Sequence, residues 1–544
     1  MTVSGPAGSV VKITPSELLN DDGTIFRNNY NGKSFVVYTL AGTGDENYTS
    51  KFYTTGCRYY KVECLPPPGS EELPKIESIA GVLVHSDSPF VGEFTSSNEL
   101  FNDIFKMIRW AEVSTMKSVI SDNPHRERLG WLEKTHLHGP SFRYNYDMRP
   151  LVDKIIHDMN DTQLENGLVP CIAPELTVFG ADWREAIEWG TASIMLPWQQ
   201  YMWTGDLEVL RQNYSLMKDY LGYLKGKAKD GIYAAEGKGD WAGRRTSPHT
   251  PKALVGTAFY FNNADVLAQT SRLLGKTAEA EQHEKLAKSI RGAFNDKFFN
   301  PETNQYGTGS QAANAMALAL GIVDPKDRLS LLENLVEDIE TRDYENTSGE
   351  VGIRYVFEAL AEGGRSDVAY SMTNQSEKPG YAYQLKLGAT AIPETWDACR
   401  DNSQNQFMLG HIMQWFYQHL AGIQLDSVSP GFTNFIIRPQ IVRDLTEIKG
   451  NYNSIRGKIV SEWVRKGNEI SMHIVIPTNT TATVYIPAEE YGSITENGIP
   501  IRDVKGLKKI SMNGFYAVAQ LGSGDYTFKS LMPEGIKDEQ NGNQ

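Results

Sequence analysis

Ser96-Ser-Asn-Glu-Leu-Phe-Asn-Asp-Ile-Phe-Lys-Met-Ile108 is where the hydrophobic period of this chain changes, and the change sets its architecture. Before about residue 93 the apolar residues come in short β-branched and aromatic runs. Ser34-Phe-Val-Val-Tyr-Thr-Leu40 and Arg58-Tyr-Tyr-Lys-Val-Glu63 are examples, and Gly, Pro and Asn separate them, as strands and turns require. Pro66-Pro-Pro-Gly69 breaks this pattern as a loop. In the quoted stretch, Leu100, Phe101, Ile104, Phe105 and Ile108 fall on one helical face. Ser96-Ser-Asn-Glu99, just ahead, matches a capping box.

Helical patterns then recur to about residue 422. Leu207, Leu210, Tyr214, Met217, Leu221 and Leu224 keep helical spacing. Asp324-Pro325 reads as an N-cap followed by proline at the first helical position, ahead of Leu332, Leu335 and Ile339, and Gly321 closes an Ala-rich helix over 311–320. About eleven or twelve helical segments over ~330 residues are too many for a four-helix bundle. A toroid of paired helices, an (α/α)6 barrel, uses them all. From about Gly431 the period returns to two. Ile470, Met472, Ile474 and Ile476 alternate with more polar residues. Thr481–Ile486 and Gly514–Ala519 are further strands, and Asn497-Gly498 and Gly522-Ser-Gly524 divide them. The expected order is an N-terminal β-domain over 1–93, which is a partial sandwich, a helical barrel over 94–424, a C-terminal β-sandwich over 425–531 and a disordered tail over 532–544.

A chain of 544 residues with 40% hydrophobic and 22% charged residues is a multidomain globular protein. Its net charge of −14 argues against nucleic acid or an anionic membrane as partner. The four cysteines are scattered and are expected to be free thiols. His136 and His138 lack further ligands at metal spacing and read as structural rather than as metal ligands. No apolar run is long enough to span a bilayer. Met1 to Val11 has no signal-peptide pattern. The expected location is cytoplasmic if the chain is complete, and periplasmic or secreted if an N-terminal part is missing.

The chemistry concentrates in Asp122-Asn-Pro-His-Arg-Glu-Arg-Leu-Gly-Trp131. Carboxylates beside guanidinium groups and an indole face suit a site that grips a sugar and protonates it. Glu127, between Arg126 and Arg128, reads either as a salt-bridged structural residue or as a general acid. Asp122 reads as a turn residue or as an acceptor for sugar hydroxyls. Trp131 reads as core or as a stacking platform. Glu394, in Glu394-Thr-Trp-Asp397, reads as a helix N-terminal acid or as a general base. The two acid clusters together suggest the paired carboxylates of glycoside hydrolysis. Asp182-Trp-Arg-Glu-Ala-Ile-Glu-Trp-Gly190 and Gly239-Asp-Trp-Ala-Gly243 with Arg244-Arg245 are either salt-bridged loops or further parts of one pocket. The loops 173–188 and 244–250 are placed on its leaving-group side.

These segments, in order, resemble the bacterial α-L-rhamnosidases of glycoside hydrolase family 78. Tyr53-Thr-Thr-Gly-Cys-Arg-Tyr59, Asp122–Trp131, Gly388-Ala-Thr-Ala-Ile-Pro-Glu-Thr-Trp-Asp397 and Pro430-Gly-Phe-Thr-Asn-Phe-Ile-Ile-Arg-Pro439 are similar to successive motifs of that family. The resemblance implies an (α/α)6 barrel between β-domains. It also implies inverting release of terminal α-L-rhamnose, with Glu127 as general acid and Glu394 as general base, and no metal or cofactor. Asp122, Arg126 and Trp131 are then expected in the sugar subsite, with Asp240 beside Trp241 and with Trp189, Trp241 and Trp396 as walls. Two positions depart from the family pattern. Lys134 stands where an aspartate follows the Gly-Trp, with Glu133 one position early, and Asn405-Gln406 replaces Asn-His. Both Lys134 and Gln406 are therefore expected to bear on which sugar is bound, and a cationic Lys134 would suit an acidic saccharide. The alternatives are a related barrel hydrolase for another sugar, or a catalytically silent carbohydrate-binding protein. Family members often carry further β-domains before the barrel. Here the N-terminal region is short, so either a partner covers its exposed edges or the chain was cut from a longer protein.

Overall fold

The computed structural model describes residues 1–532, apart from 31, 33, 235–236, 244–248 and 505–509. The tail from Glu534, the Arg244-Arg245 pair and most of the loop it begins lie outside the described residues. A helical region is flanked by two β-rich regions. The N-terminal one has short strands. Val10–Ser16 sits between Val36–Thr39 and Tyr59–Leu65, and Thr2–Ser4 sits between Glu46–Asn47 and Lys75–Ser78. Leu18–Leu19 pairs with Ile25–Phe26 in a small hairpin.

The first long helix covers Glu99–Thr115 and buries Phe101, Ile104, Phe105 and Ile108. Its cap is Asn98 and not Ser96: the Asn98 side chain takes the Leu100 N–H at 3.0 Å. Ser96 is still the last residue of a strand, Gly92–Ser96, and pairs with Ile448. That strand joins the edge of the C-terminal seven-stranded sheet. It therefore crosses the boundary expected at residue 93, since its partner lies some 350 residues on and leaves no local trace in the sequence.

Leu207–Lys227 is one helix, with Leu210, Tyr214, Met217, Leu221 and Leu224 buried. Each large apolar side chain so buried contributes about 1.5–3 kcal/mol. The helices Lys252–Leu273 and Thr277–Phe298 pack as a pair, and so do Gln311–Ala319 and Glu350–Glu362. Asp324-Pro325 opens a short 3-10 turn, Pro325–Asp327, before the helix Arg328–Thr341. Gly321, at φ +64°, follows the Ala-rich helix.

After the helices, two sheets of five and seven strands contribute alternate residues to a common apolar core. Ile470, Met472, Ile474 and Ile476 are the buried positions of Glu469–Ile476. Asn497 and Gly498 both have positive φ, +48° and +82°, and join Thr495–Glu496 to Ile499–Pro500. This is the backbone that a two-residue hairpin needs to match strand twist. Gly522 and Ser523 instead carry the chain from one sheet to the other. The C-terminal region is tied to the helices by hydrogen bonds to buried backbone. Trp463 Nε1 donates to Leu420 O at 2.9 Å, and Tyr144 Oη donates to Ile423 O at 2.7 Å.

Candidate active site

Two loops on the side of the helical region that faces the N-terminal β-region carry the acids. Asp122 closes the first loop on itself. Its N–H donates to Leu129 O at 3.0 Å, and its Oδ1 accepts the Leu129 N–H at 3.1 Å. Inside that closure Asn123 Oδ1 accepts the N–H groups of Arg126 and Glu127 at 2.9 and 3.1 Å. Asn123 Nδ2 also donates to Asp122 Oδ2. Arg128 turns the chain at φ +59°, and Arg126 and Glu127 project from the bend. Trp131 Nε1 donates to Glu127 Oε2 at 3.2 Å.

The second loop is pinned in the same manner. Glu394 N–H donates to Ser403 O, and Gln406 N–H donates to Ile392 O, each at 2.9 Å. Ser403 N–H then donates to the Glu394 carboxylate, Oε2, at 2.9 Å. Glu394 thus lies in a closed loop and not at a helix start.

Arg126 spans the two loops. Its Nη2 donates to Glu394 Oε2 at 3.1 Å, and its Nε lies 3.5 Å from Glu127 Oε1. The C–N bonds of a guanidinium are about 1.33 Å, so these two carboxylate oxygens are at most about 9 Å apart. The Glu127 side chain is 34% exposed and that of Glu394 14%. Both therefore border an open rim.

Beneath this rim is a dry layer of charge. Lys134 and Glu133, each about 2% exposed, are in direct contact. Burial opposes the charge on Lys134, but Glu133, Glu350 and Asp122 outweigh it and raise its pKa. Burial also pushes Glu350 well above the usual carboxylate range, and Glu133 adds to this. Glu133 pairs with the ammonium, and burial favours the neutral form of Glu350. Asp122 is pushed up by burial, against Lys134 and with help from neighbouring Glu127. Asp240 is pushed up to about 6 by burial, although it accepts N–H groups from Gly349 and Gly352 at 2.9 and 2.7 Å. A Cβ at Gly349 would come within 1.9 Å of Trp241 O, so only glycine fits there. Glu188 is buried as well, and its Oε1 accepts the Gly239 N–H at 2.7 Å.

The aromatic wall differs from the expected one. Trp183 stands edge-on to both Trp131 and Trp241, with ring centroids 5.6 and 5.1 Å away. Lys238 Nζ lies 3.2 Å from the Trp183 ring centroid and 3.0 Å from Asp182 Oδ2. Trp189 is buried behind Trp131, in one cluster with Cys171, Ile172 and Ala186. Trp396 is not a wall. It is 1% exposed, packs edge-on to Tyr381, and its Nε1 donates to Ser348 O at 2.8 Å. It therefore supports the segment that leads into Glu350. Gln406 is also buried, with Nε2 3.2 Å from Met408 Sδ.

Lys134 is the main correction. It does not offer a free cation to an acidic sugar, because Glu133 and Glu350 already surround it and water does not reach it. Glu350 and Glu17 went unnoticed in the sequence. Glu350 reads locally as a helix N-terminal acid, and Glu17 has no local signal. Trp183 lies inside a quoted cluster, but nothing in the spacing distinguishes it from Trp189. His136 Nε2 lies 2.7 Å from Glu188 O, and the His138 ring stacks on His411 at 3.7 Å.

Residues 89–420 match the bacterial alpha-L-rhamnosidase 6 hairpin glycosidase domain. Residues 422–499 match the C-terminal domain of the same proteins, and residues 1–85 their concanavalin-like domain. An alpha-L-rhamnosidase of Streptomyces avermitilis is 29% identical over 97% of this chain and 50% of its own length. One from Formosa agariphila is 28% identical over 92% of this chain and 55% of its own. This chain therefore spans about half the length of these relatives. Among solved structures, the alpha-L-rhamnosidase from Dictyoglumus thermophilum superposes with a TM-score of 0.87 at 31% identity, covering 97% of this chain and 60% of that one. That of Streptomyces avermitilis complexed with L-rhamnose gives 0.87 at 28%, covering 97% and 50%. The chain belongs to the bacterial alpha-L-rhamnosidase family of six-hairpin glycosidases.

Proposed function

We propose that this chain releases terminal α-L-rhamnose from oligosaccharides or glycosides by an inverting reaction, on a helical region that forms an (α/α)6 barrel. Glu127 is the general acid and gives its proton to the glycosidic oxygen as the bond to the anomeric carbon breaks. Glu394 is the general base and takes a proton from the water that attacks the opposite face. Arg126 holds the sugar, together with Trp131, Trp183 and Trp241, while Asp122, buried with both oxygens bonded inside its loop, sets the turn that presents Glu127.

The observation that carries this reading is Arg126 held between the two glutamates, at 3.5 Å from one and 3.1 Å from the other. It brings to one rim two carboxylates, Glu127 and Glu394, that are 267 positions apart in sequence. Inversion needs carboxyl groups ~6.5–9.5 Å apart so that water fits between them, whereas retention uses ~5–5.5 Å; the ceiling of about 9 Å admits both spacings, and the product anomer decides between them. A binding protein has no use for an opposed acid and base.

The test is hydrolysis of an aryl α-L-rhamnoside by the parent, E127Q and E394Q, with the anomer of the first-formed sugar read by NMR. Turnover by the parent, loss of at least three orders of magnitude in each variant (about 4 kcal/mol) and an inverted product are expected. Parental rates in both variants would refute the assignment, and a retained anomer would refute the mechanism.

A further inference from the structure

We propose that Glu17, from the N-terminal β-region, is a positioning residue whose carboxyl group joins the loop bearing Glu127 to the loop bearing Glu394. This inference rests on the reading of that pair as acid and base.

Glu17 lies between the strands Val10–Ser16 and Leu18–Leu19 and is 3% exposed. Its Oε1 lies 3.3 Å from Nδ1 of His125, two residues before Glu127. Its Oε2 accepts the backbone N–H of Gln404 at 2.9 Å and Nδ2 of Asn29 at 2.7 Å. Gln404 follows Ser403, whose N–H donates to Glu394 at 2.9 Å. One carboxyl group therefore reaches both loops, each within two residues of a group that fixes or precedes a catalytic glutamate. A structural acid of this fold has no need of that placement, because the surrounding contacts already dock the β-region. Gly56 N–H donates to Pro124 O at 2.8 Å, and Arg400 Nη2 donates to Leu19 O at 2.7 Å.

The polarity of the bridge follows from its partners. His125 Nε2 lies 3.1 Å from Asn29 O, which can only accept, so Nε2 bears the proton and Nδ1 a lone pair. Nδ1 faces Glu17 Oε1 at 3.3 Å and Ser403 Oγ at 3.5 Å, and a neutral Glu17 can donate its O–H to it. The charged and titratable groups around it are His125, Arg126, Glu394, Tyr30 and Cys57. Burial pushes Glu17 up to about 8 and His125 down to about 4, in keeping with a neutral pair. Glutamine copies this pattern: its amide N–H faces His125, and its C=O accepts from Gln404 and Asn29.

The experiment measures kcat and KM for an aryl α-L-rhamnoside with the full chain carrying E17A or E17Q, alongside E127Q and E394Q. E17A is expected to lower kcat at least tenfold, because the acid and base lose register, and to change KM by less, because Trp183 and Trp241 of the sugar subsite stand on other segments. E17Q is expected within threefold of the parent on both. Circular dichroism establishes that each variant is folded; if E17A is not, E17D, with its reach shortened by one methylene, is judged by the same thresholds. A parental kcat in E17A overturns the proposal. So does an equal loss in folded E17A and E17Q, since the isostere keeps the bridge. If E127Q and E394Q retain parental activity, the acid–base reading itself fails. If they are inactive while E17A is not, only the role of Glu17 fails.

Discussion

The rim and the floor of the site both consist of carboxylates and cations, yet they are built for opposite ends. On the rim, Arg126, Glu127 and Glu394 sit at 3.1–3.5 Å with side chains 11–34% exposed. Their contacts border solvent, so substrate groups can take their place. On the floor, Glu133, Lys134 and Glu350 are sealed from water. There a charge is tolerated only with its partner, and removal of one member strands the others. Charge of the same kind thus borders solvent on the rim and is locked into buried pairs on the floor.

The sharpest way to break this comparison is Lys134→Met. It should cost about 3–5 kcal/mol of stability in denaturant unfolding, as an uncompensated buried charge does. The triple variant E133Q, K134M and E350Q should recover most of that loss. Parental stability in K134M would mean that the floor is not an ion cluster. The ratio of rates on neutral and acidic rhamnosides should not change in any folded variant that lacks Lys134.

Next in size is Arg126→Lys on the rim. A point-charge ammonium cannot lie along both carboxylates as a planar guanidinium does. A kcat loss of roughly 10- to 100-fold, about 1.4–2.7 kcal/mol, is expected, with a smaller loss of stability than in K134M. A stability loss as large as that of K134M would erase the distinction between the layers.

A third test uses pH. Glu17 has a folded pKa of about 8 against an ordinary value of 4.5, raised by burial. Its contribution to stability is therefore fully present below about 4.5 and is lost as pH rises towards 8. E17Q removes the titration, so its Tm relative to the parent should climb between pH 5 and 8. A constant difference would show that Glu17 does not hold a proton in the folded chain. The smallest expected effect is that of Trp131→Phe, which removes the N–H donated to Glu127 at 3.2 Å. The loss in kcat should be within tenfold, near the ~1 kcal/mol of one hydrogen bond, and a loss of 1000-fold would promote Trp131 to a direct part in the chemistry.

Much of this was legible in the sequence. The change of period at Ser96–Ile108 located the helical region, and the clusters at Asp122–Trp131 and Glu394–Asp397 held the two carboxylates that Arg126 joins. Local rules sufficed there because helical stripes and acid-rich turns are properties of neighbouring residues. They failed where the partner was distant. Ser96 matched a capping box but was held in a sheet by Ile448. Trp396 had the composition of a sugar platform but was drawn into the core by Ser348 and Tyr381. Lys134 looked like a recognition cation because Glu350 is more than two hundred positions away.

The sequence alone determined which segments are helix and strand, and which two glutamates stand out, because periodicity and composition act over a few residues. Only the tertiary structure decided which carboxylates face water and which are buried. It also decided that a glutamate from the first β-region reaches both loops. Burial and ion pairing depend on what the fold brings alongside, and that is set by residues far along the chain.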